Sequence, residues 1–328
     1  MDVLFAPMEG ITYALYRILH ARYFPGIKEY YTPFIAPDTT GSFKAKYLQE
    51  LTADRKEGLC VIPQLLVNRP EPFCATADKL SALGFPEINL NIGCPSGTVF
   101  AKHKGAGMLT DLNALDQLLD KVFAHAAQTG LHISIKTRMG VQTTEEFPSI
   151  LAIYCKYPLS RLIIHARARE GYYRSKPDVA GFAAAVKECP FPVSYNGNIF
   201  SPRDLAVLTA SAPETASIMV GRGLIANPAL ARTLEGGTPL KAEEFSVFHD
   251  ALLDAYLQNG LSHPFALERM KHLWYYMHCM FTDCKKEHKA ILKARALPDY
   301  RTATALLFAS GKFDAGNAFT PEEKESGD

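Results

Sequence analysis

The stretch Glu87-Ile88-Asn89-Leu90-Asn91-Ile92 is a short β-like run that ends in the turn Gly93-Cys94-Pro95. Seven comparable runs occupy residues 3–6, 29–34, 60–66, 132–137, 161–165, 193–196 and 217–220. Segments with helical spacing, such as residues 114–127 and 203–210, separate them. Repeated βα units of this kind are typical of α/β proteins with a parallel sheet, and eight of them predict a closed TIM (β/α)8 barrel. The first run continues into Pro7-Met8-Glu9-Gly10 and carries no GxGxxG fingerprint, which disfavours an open doubly wound sheet.

The β-like pattern stops at Gly236-Gly237-Thr238-Pro239, and the segments beyond it have helical composition and spacing. We therefore predict three parts. Residues 1–237 form a catalytic barrel, residues 238–316 form a small all-helical domain, and residues 317–328 form a frayed polar tail.

Composition narrows the class of protein. The 328 residues are 48% hydrophobic and 21% charged, with a formal net charge of +1, which argues against nonspecific coating of nucleic acid. Seven scattered cysteines without a CxxC pair predict reduced thiols in the cytoplasm and no metal site. We expect neither export nor membrane anchoring, since no apolar run reaches about 18 residues. Residues 285–301 hold six basic and two acidic side chains, which suits either a nucleic-acid contact or a solvated helix.

The chemistry of a TIM barrel lies at the carboxyl ends of its strands, so the side chains that follow the runs are candidates. They are Pro7, Met8, Gln64, Asn89, Asn91, Cys94, Lys136, Arg138, His165, Arg167, Asn196, Asn198, Gly221 and Arg222. Asn196-Gly197-Asn198 and Gly221-Arg222-Gly223 stand where barrels commonly bind phosphate, because glycine lets backbone N–H groups approach the oxygens. The alternative is that these glycines serve only as tight turns, but the other rim residues favour a phosphate-bearing cofactor.

Three side chains of this set are reactive. Cys94 stands in a turn that projects its thiol, and an unperturbed thiol is protonated at neutral pH and can donate a proton. Three roles are open to Lys136. It could contact an anionic or electron-rich partner, act as a Schiff-base nucleophile, or extend its amine to solvent. His165 fits a cofactor contact or a hydrogen-bonded structural role.

Several of these segments together resemble the FMN-dependent tRNA-dihydrouridine synthase family in order and spacing. They are Ala6-Pro7-Met8-Glu9-Gly10, Asn89-Leu90-Asn91-Ile92-Gly93-Cys94-Pro95, Lys136-Thr137-Arg138, Ile164-His165, Asn196-Gly197-Asn198-Ile199 and Gly221-Arg222-Gly223. The resemblance covers almost the whole barrel, and the Asn-x-Gly-Cys-Pro element is its specific part. The helical region resembles the family's tRNA-binding domain in position and length.

The resemblance implies a role for each candidate. FMN would lie across the barrel mouth, with Pro7 and Met8 against its ring and with Gln64, Lys136 and His165 on its polar edges. Its phosphate would contact Asn196, Gly197, Asn198, Gly221 and Arg222. NADPH would reduce the flavin, and a hydride would then pass from N5 to C6 of uracil while Cys94 protonates C5. Asn91 and Arg138 would help hold the base.

The implied macromolecular partner is tRNA, whose phosphates would contact basic side chains of the helical region. Those side chains are Lys285, Lys286, Lys289, Lys293 and Arg295. We expect a monomer that does not bind DNA. The segments Tyr31-Thr32-Pro33-Phe34, Ala166-Arg167-Ala168-Arg169 and Ser96-Gly97-Thr98-Val99-Phe100 depart from the family pattern, and they bear on target position and efficiency.

Three other functions fit parts of the sequence. An FMN barrel that acts on a free pyrimidine would use the same phosphate turns and a cysteine, but it has no need of a helical domain. A Schiff-base aldolase would use Lys136 and would be colourless. A noncatalytic tRNA-binding chaperone would not need Cys94.

Overall fold

Nine short strands form one parallel sheet in the computed structural model, which describes residues 1–321. The strands are β1 (Asp2–Phe5), β2 (Ile27–Tyr31), β3 (Val61–Ile62), β4 (Gln64–Leu65), β5 (Glu87–Ile92), β6 (His132–Arg138), β7 (Arg161–His165), β8 (Val193–Asn196) and β9 (Ser217–Val220). Their order in the sheet is β3-β2-β1-β9-β8-β7-β6-β5-β4. Every pairing is parallel, as expected when helices connect successive strands.

The two edges of this sheet belong to a single segment, and this closes the barrel. Pro63 separates β3 from β4 because proline has no N–H to donate to a neighbouring strand. β3 pairs with β2, whereas β4 pairs with β5. The predicted run at residues 60–66 is therefore one barrel strand interrupted at its middle. The predicted TIM barrel is confirmed.

Fourteen helices lie within the described residues. They are α1 (Ala14–Tyr23), α2 (Ala45–Lys56), α3 (Pro70–Ala82), α4 (Gly97–Phe100), α5 (Leu112–Thr129), α6 (Phe147–Tyr154), α7 (Val179–Glu188), α8 (Pro202–Ser211), α9 (Arg222–Ala226), α10 (Leu230–Leu234), α11 (Ala242–Gln258), α12 (His263–Met277), α13 (Lys285–Lys293) and α14 (Leu297–Phe308). Short 3-10 helices occupy Gly105–Thr110, Thr144–Glu146 and His278–Met280.

Helix α5 shows how sequence sets a barrel helix. It begins where the Asp111 carboxylate accepts a hydrogen bond from the backbone N–H of Ala114 at 3.0 Å. It ends at Gly130, which takes the left-handed conformation with φ of 72°. Leu115, Leu118, Leu119 and Val122 recur at helical spacing and are buried. The helix thus packs its apolar face on the sheet.

Apolar side chains also fill the inside of the barrel. A second buried cluster, separate from the main core, is formed by Leu4, Ala6, Tyr31, Ile62, Ile163 and Met219. Its members lie on strands or at a strand end, so this cluster is the packed interior of the barrel. The space above it, at the carboxyl ends of the strands, remains for the site.

The C-terminal helices pack against the barrel through α1. The ring of Phe248 in α11 lies 5.8 Å from that of Tyr16 and 5.2 Å from that of Phe24. The Arg269 guanidinium of α12 lies 4.7 Å from the centre of the Tyr13 ring. The proposed boundary at residues 237 and 238 falls between α10 and α11. No helix within residues 1–321 combines the length and the apolar character needed to cross a bilayer.

The start of the predicted frayed tail differs from the expectation. Phe319 is only 9% exposed, and its ring lies 5.4 Å from that of Phe200 and 5.3 Å from that of Tyr276. The segment is mostly polar, but this one aromatic side chain packs against both the barrel and α12 and fixes the start of the segment there. Residues 322–328 of the predicted tail lie outside the described residues.

Candidate active site

Two adjoining cavities open at the carboxyl ends of the strands. The larger, which we call the reaction cavity, measures ≈ 250 Å³ and is lined by Pro7, Met8, Glu9, Ile11, Pro33, Phe34, Gln64, Asn91, Gly93, Cys94, Pro95, Lys136, Arg138, His165, Tyr173 and Tyr276. The smaller, which we call the anion cavity, measures ≈ 60 Å³ and is lined by Ala6, Pro7, Met8, Lys136, His165, Tyr173, Asn196, Gly197, Gly221 and Arg222. Most of the predicted barrel residues therefore lie together.

A chain of side-chain amides crosses the floor of the reaction cavity. Asn91 donates from Nδ2 to Oε1 of Gln64 at 2.7 Å, and Gln64 donates from Nε2 to Oδ1 of Asn89 at 2.7 Å. Asn89 in turn donates from Nδ2 to the Ser134 hydroxyl oxygen at 2.9 Å. Because each amide uses its nitrogen toward one neighbour and its oxygen toward another, the chain has one consistent orientation.

The same amide chain holds the turn that carries Cys94. Oδ1 of Asn91 accepts hydrogen bonds from the backbone N–H groups of Gly93, at 3.1 Å, and Cys94, at 2.9 Å. Gly105 packs against Cys94 with φ of 56°, and a Cβ at Gly105 would lie 2.8 Å from Cys94 Cβ. The structure thus gives Asn91 a second task, which is to fix the direction of the thiol.

The Cys94 thiol is protonated at neutral pH. Burial raises its pKa above the ordinary value for cysteine, and this outweighs the lowering effect of Arg138, Lys136 and a backbone hydrogen bond. A half-buried thiol that keeps its proton at the end of a strand is suited to donate that proton to a bound molecule.

Lys136 points into both cavities and makes one strong hydrogen bond. Its Nζ donates to Oδ1 of Asn196 at 2.7 Å, and Asn196 donates from Nδ2 to the carbonyl oxygen of Met219 at 2.8 Å. Burial, followed by repulsion from Arg138, lowers the pKa of Lys136 to about 7. An anion bound beside Lys136 would favour its charged form.

His165 is held by an arginine and stays neutral. Nη1 of Arg167 lies 3.0 Å from Nε2 of His165. Arginine only donates, so Nε2 accepts and the ring proton lies on Nδ1. Burial, together with the charges of Arg138, Lys136, Arg167 and Arg222, keeps the pKa of His165 well below its ordinary value.

The anion cavity has the charge and the backbone of a phosphate site. It is lined by the basic side chains of Lys136 and Arg222 and by no carboxylate among the described residues. Oδ1 of Asn198 accepts from both Arg222 and Arg167, each at 2.9 Å, and so fixes two guanidinium groups. A Cβ at Gly197 would collide with the Tyr195 ring. The glycine is therefore required, and the residues fit a phosphate-bearing cofactor.

Arg138 is more constrained than its sequence position suggests. It is 1% exposed, and its Nε donates to the Gly93 carbonyl oxygen at 3.0 Å. Its Nη1 donates to the carbonyl oxygens of Ala168 and Tyr172 at 3.1 and 3.0 Å. Arg138 thereby ties the Cys94 turn to the loop after β7. Within residues 1–321, Nη2 has no protein partner and is the nitrogen that remains for a ligand.

Sequence reasoning missed the aromatic walls of the site. Tyr173 borders both cavities, and Tyr276 reaches the reaction cavity from α12. Tyr173 lies only eight positions after His165 in the same βα loop. Because the loops that follow barrel strands border the active site, its position in the sequence could have marked it as a candidate. The sequence contains no comparable indication for Tyr276, because its position depends on how the helical region docks on the barrel.

The predicted basic side chains of the helical region lie apart from these cavities. Lys285, Lys286, Lys289 and Lys293 are exposed on α13, and Arg295 is exposed just beyond it. None of the five forms a salt bridge within the described part of the chain. Within residues 1–321, no three His, Cys, Asp or Glu side chains are placed to bind a metal ion.

Comparison with known families identifies the family to which this barrel belongs. Residues 4–299 match the family described as Dihydrouridine synthase (Dus). The chain belongs to the dihydrouridine synthase family. It is an oxidoreductase, and the matched range includes the barrel and most of the C-terminal helices.

Relatives of this dihydrouridine synthase family member carry a more specific name. The tRNA-dihydrouridine(16) synthase of Neisseria meningitidis is 27% identical over 253 residues, covering 74% of this chain and 75% of the relative. The protein of the same name from Shigella flexneri is 30% identical over 248 residues, covering 73% and 77%. These matches support tRNA dihydrouridine synthesis as the activity.

Solved structures agree on the architecture of the barrel. Morphinone reductase in complex with tetrahydroNAD superposes with a TM-score of 0.52 at 13% identity, covering 75% of this chain and 90% of the reductase. The old yellow enzyme homologue from Zymomonas mobilis gives a TM-score of 0.53 at 13% identity, covering 73% and 90%. At such identities the likeness shows the fold alone.

Proposed function

We propose that this family member reduces the C5=C6 bond of a uridine in tRNA, with FMN as its resident cofactor and NADPH as electron donor. One observation carries the proposal. A protonated thiol, Cys94, lines the same cavity as Lys136 and His165, and that cavity adjoins a carboxylate-free anion cavity. Reduction of a C=C bond needs both a hydride source and a proton donor, and this arrangement has room for one beside the other.

The residues proposed to bind FMN fall into three groups, which contact its ring, its polar edges and its phosphate. Pro7 and Met8 border both cavities and offer apolar contact to the flavin ring. Gln64, Lys136 and His165 offer polar contacts to its edges, and the proton on Nδ1 makes His165 a donor. The phosphate contacts are proposed for Asn196, Gly197, Asn198, Gly221 and Arg222. When bound and reduced, FMN would supply the hydride that uracil receives at C6.

Cys94 is the proposed general acid. Its thiol would donate its proton to C5 of uracil on the face opposite the flavin. The hydrogen bonds from the turn to Asn91 fix where the thiol lies, and the free Nη2 of Arg138 is placed to bind a uracil oxygen. Asn91 retains one N–H of its amide for the base.

A uridine stacked in folded tRNA cannot reach a cavity at the mouth of a barrel, so it must be flipped out. The exposed lysines of α13, together with Arg295, are the proposed phosphate contacts that hold the rest of the tRNA. The relatives are named for position 16, and we propose that position as the target here.

Anaerobic absorption spectroscopy tests the proposal. The purified protein should show flavin bands near ~375 and ~450 nm that bleach with NADPH. Addition of an unmodified tRNA transcript should restore the ~450 nm band, whereas tRNA already reduced at the target should not. A colourless protein that does not bind added FMN would contradict the proposal.

A Schiff-base activity at Lys136 is the second candidate, because the lowered pKa leaves much of this amine neutral near pH 7. Borohydride with a carbonyl substrate would then trap a covalent adduct at Lys136. Under the flavin proposal no adduct forms.

A further inference from the structure

A third cavity lies beside the reaction cavity, and the proposed function assigns it no ligand. It measures ≈ 260 Å³, and its walls include Tyr173, Arg174, Arg222, Tyr275, Tyr276 and Phe319. We call it the aromatic pocket. It shares Met8, Tyr173 and Tyr276 with the reaction cavity, so the two are neighbours with a common wall.

The common wall is a tyrosine ring placed between two guanidinium groups. The Arg222 guanidinium carbon lies 4.4 Å from the centre of the Tyr173 ring, and that of Arg138 lies 5.6 Å from it. Tyr172, the preceding residue, has φ of 43°, which is uncommon for a residue other than glycine. Arg138 stabilises this conformation by donating to the Tyr172 carbonyl oxygen at 3.0 Å. The ring of Tyr173 is thus held in place although it is 47% exposed.

The other walls come from the helical region. Tyr275 and Tyr276 are neighbours on α12, with ring centres 5.0 Å apart and planes at 87°. Tyr275 is 55% exposed, which is high for an aromatic side chain beside a cavity. Phe319 closes the far side, with its ring 6.3 Å from that of Tyr275. The pocket therefore exists only where the barrel and the helical region meet.

The chemistry of these walls selects the occupant. Four aromatic rings and two arginines line the pocket, and no carboxylate does so among the described residues. Exposed rings stack on planar groups, and arginines bind phosphate, so the pocket suits a planar base that carries phosphate. A uridine in the reaction cavity would be covalently joined to a nucleotide on each side, and those nucleotides must lie on adjoining surface.

We propose that the aromatic pocket binds the base of a tRNA nucleotide that flanks the reduced uridine, with its phosphate at Arg174. This inference rests on the proposed function and specifies how the same site holds its substrate. A flanking base held here would keep the backbone of the flipped nucleotide at the cavity mouth. It would also make reduction depend on the nucleotide beside the target.

Tyr275→Ala is the variant that tests the proposal, because Tyr275 borders the aromatic pocket but not the reaction cavity. Loss of one stacking ring should raise KM for unmodified tRNA about tenfold. FMN content and the rate of flavin bleaching by NADPH should not change. Phe265→Ala is the matched control, since Phe265 is 66% exposed on the same helix and should leave KM for tRNA unchanged.

The competing occupants predict other results. If the pocket bound NADPH, Tyr275→Ala would slow bleaching of the flavin and leave KM for tRNA unchanged. If it bound FMN, the variant would lose flavin. An unchanged KM for tRNA in a variant that still reduces tRNA would also overturn the pocket assignment. A wild-type protein unable to reduce any tRNA would instead overturn the proposed function itself.

Transcripts that lack one base provide a second measurement. An abasic nucleotide on one side of the target uridine should raise KM about tenfold for the wild type. For Tyr275→Ala, the same transcript should cause little further change, because ring and base act as one pair. Equal losses in both proteins would show that the base binds elsewhere and would overturn the proposal.

Discussion

Arg167 donates a hydrogen bond from Nη1 to Nε2 of His165, with 3.0 Å between the two nitrogens. Arginine has no acceptor, so this contact decides which ring nitrogen carries the proton. Arg167 is itself fixed by donating to the carbonyl oxygen of Ser175 and to Oδ1 of Asn198. A residue outside the cavity lining thus determines how His165 presents itself to a cofactor.

Arg167→Met should therefore disturb His165 without removing it. We expect about tenfold weaker FMN binding and a mixture of histidine tautomers, because the fixed donor to Nε2 is gone. The pKa of His165 should rise, since the Arg167 charge is one of the causes that lower it. Nitrogen-15 NMR of labelled histidine reports both effects. Arg167→Lys keeps a donor and should retain the Nδ1–H form; loss of that form in the lysine variant would contradict the role given to Arg167.

Cys94→Ala should slow the reduction of tRNA without weakening the binding of FMN or tRNA. Reduction of tRNA should fall by about 10²- to 10⁴-fold, which is the usual contribution of a general acid. FMN content and tRNA affinity should remain, since the hydrogen bonds from Gly93 and Cys94 to Asn91 that hold the turn come from backbone N–H groups. Single-turnover assays measure the first effect, and gel-shift titration measures the second. Cys60→Ala, at an exposed cysteine remote from the cavities, is the control. Equal turnover in both variants would remove Cys94 from the mechanism.

The state of Lys136 predicts proton uptake on cofactor binding. In the cofactor-free protein, its pKa of about 7 leaves it mostly neutral at pH 8. The anionic phosphate of FMN would raise that pKa, so binding at pH 8 should take up a proton and affinity should fall as pH rises above 7. Calorimetric titration at pH 8 in two buffers of different ionisation enthalpy measures the uptake. Lys136→Met should abolish it; uptake that persists in this variant would assign the proton to another group.

The basic side chains of α13 should set the salt dependence of tRNA binding. Lys289 and Lys293 lie four residues apart on one helix, and both are exposed. Replacing both with glutamine should reduce the slope of log affinity against log salt by about 0.7 to 0.9 per lysine. Flavin reduction by NADPH should be unaffected. Lys121→Gln with Lys187→Gln, on barrel helices, is the charge-matched control, and an identical slope in the two double variants would place the tRNA elsewhere.

Sequence alone predicted the barrel well because its signals are local. Each of the eight runs became a strand, and the run at residues 60–66 was divided only by Pro63. The rim residues followed from the same rule, since the ends of parallel strands meet at one face of a barrel. Cys94, Lys136 and His165 were therefore found together from three distant parts of the chain.

Other features of the site depend on contacts that no local pattern encodes. Tyr276 and Phe319 reach the barrel mouth only because the helical region docks there, and composition alone marked Phe319 as part of a frayed tail. Arg138 was expected to hold substrate, yet three of its hydrogen bonds go to backbone carbonyl oxygens. Loop geometry, with Tyr172 at positive φ, decides those contacts.

Nucleoside mass spectrometry of tRNA tests the assigned reaction most directly. An unmodified transcript would be incubated anaerobically with the FMN-loaded protein and NADPH, then digested to nucleosides and, in parallel, to oligonucleotides. Reduction of one C=C bond adds two hydrogens, so a uridine in the transcript should gain the mass of H2 and appear as dihydrouridine, with the oligonucleotides locating it at position 16. A transcript recovered without dihydrouridine, from a protein whose bound flavin is reduced by NADPH, would contradict the assignment.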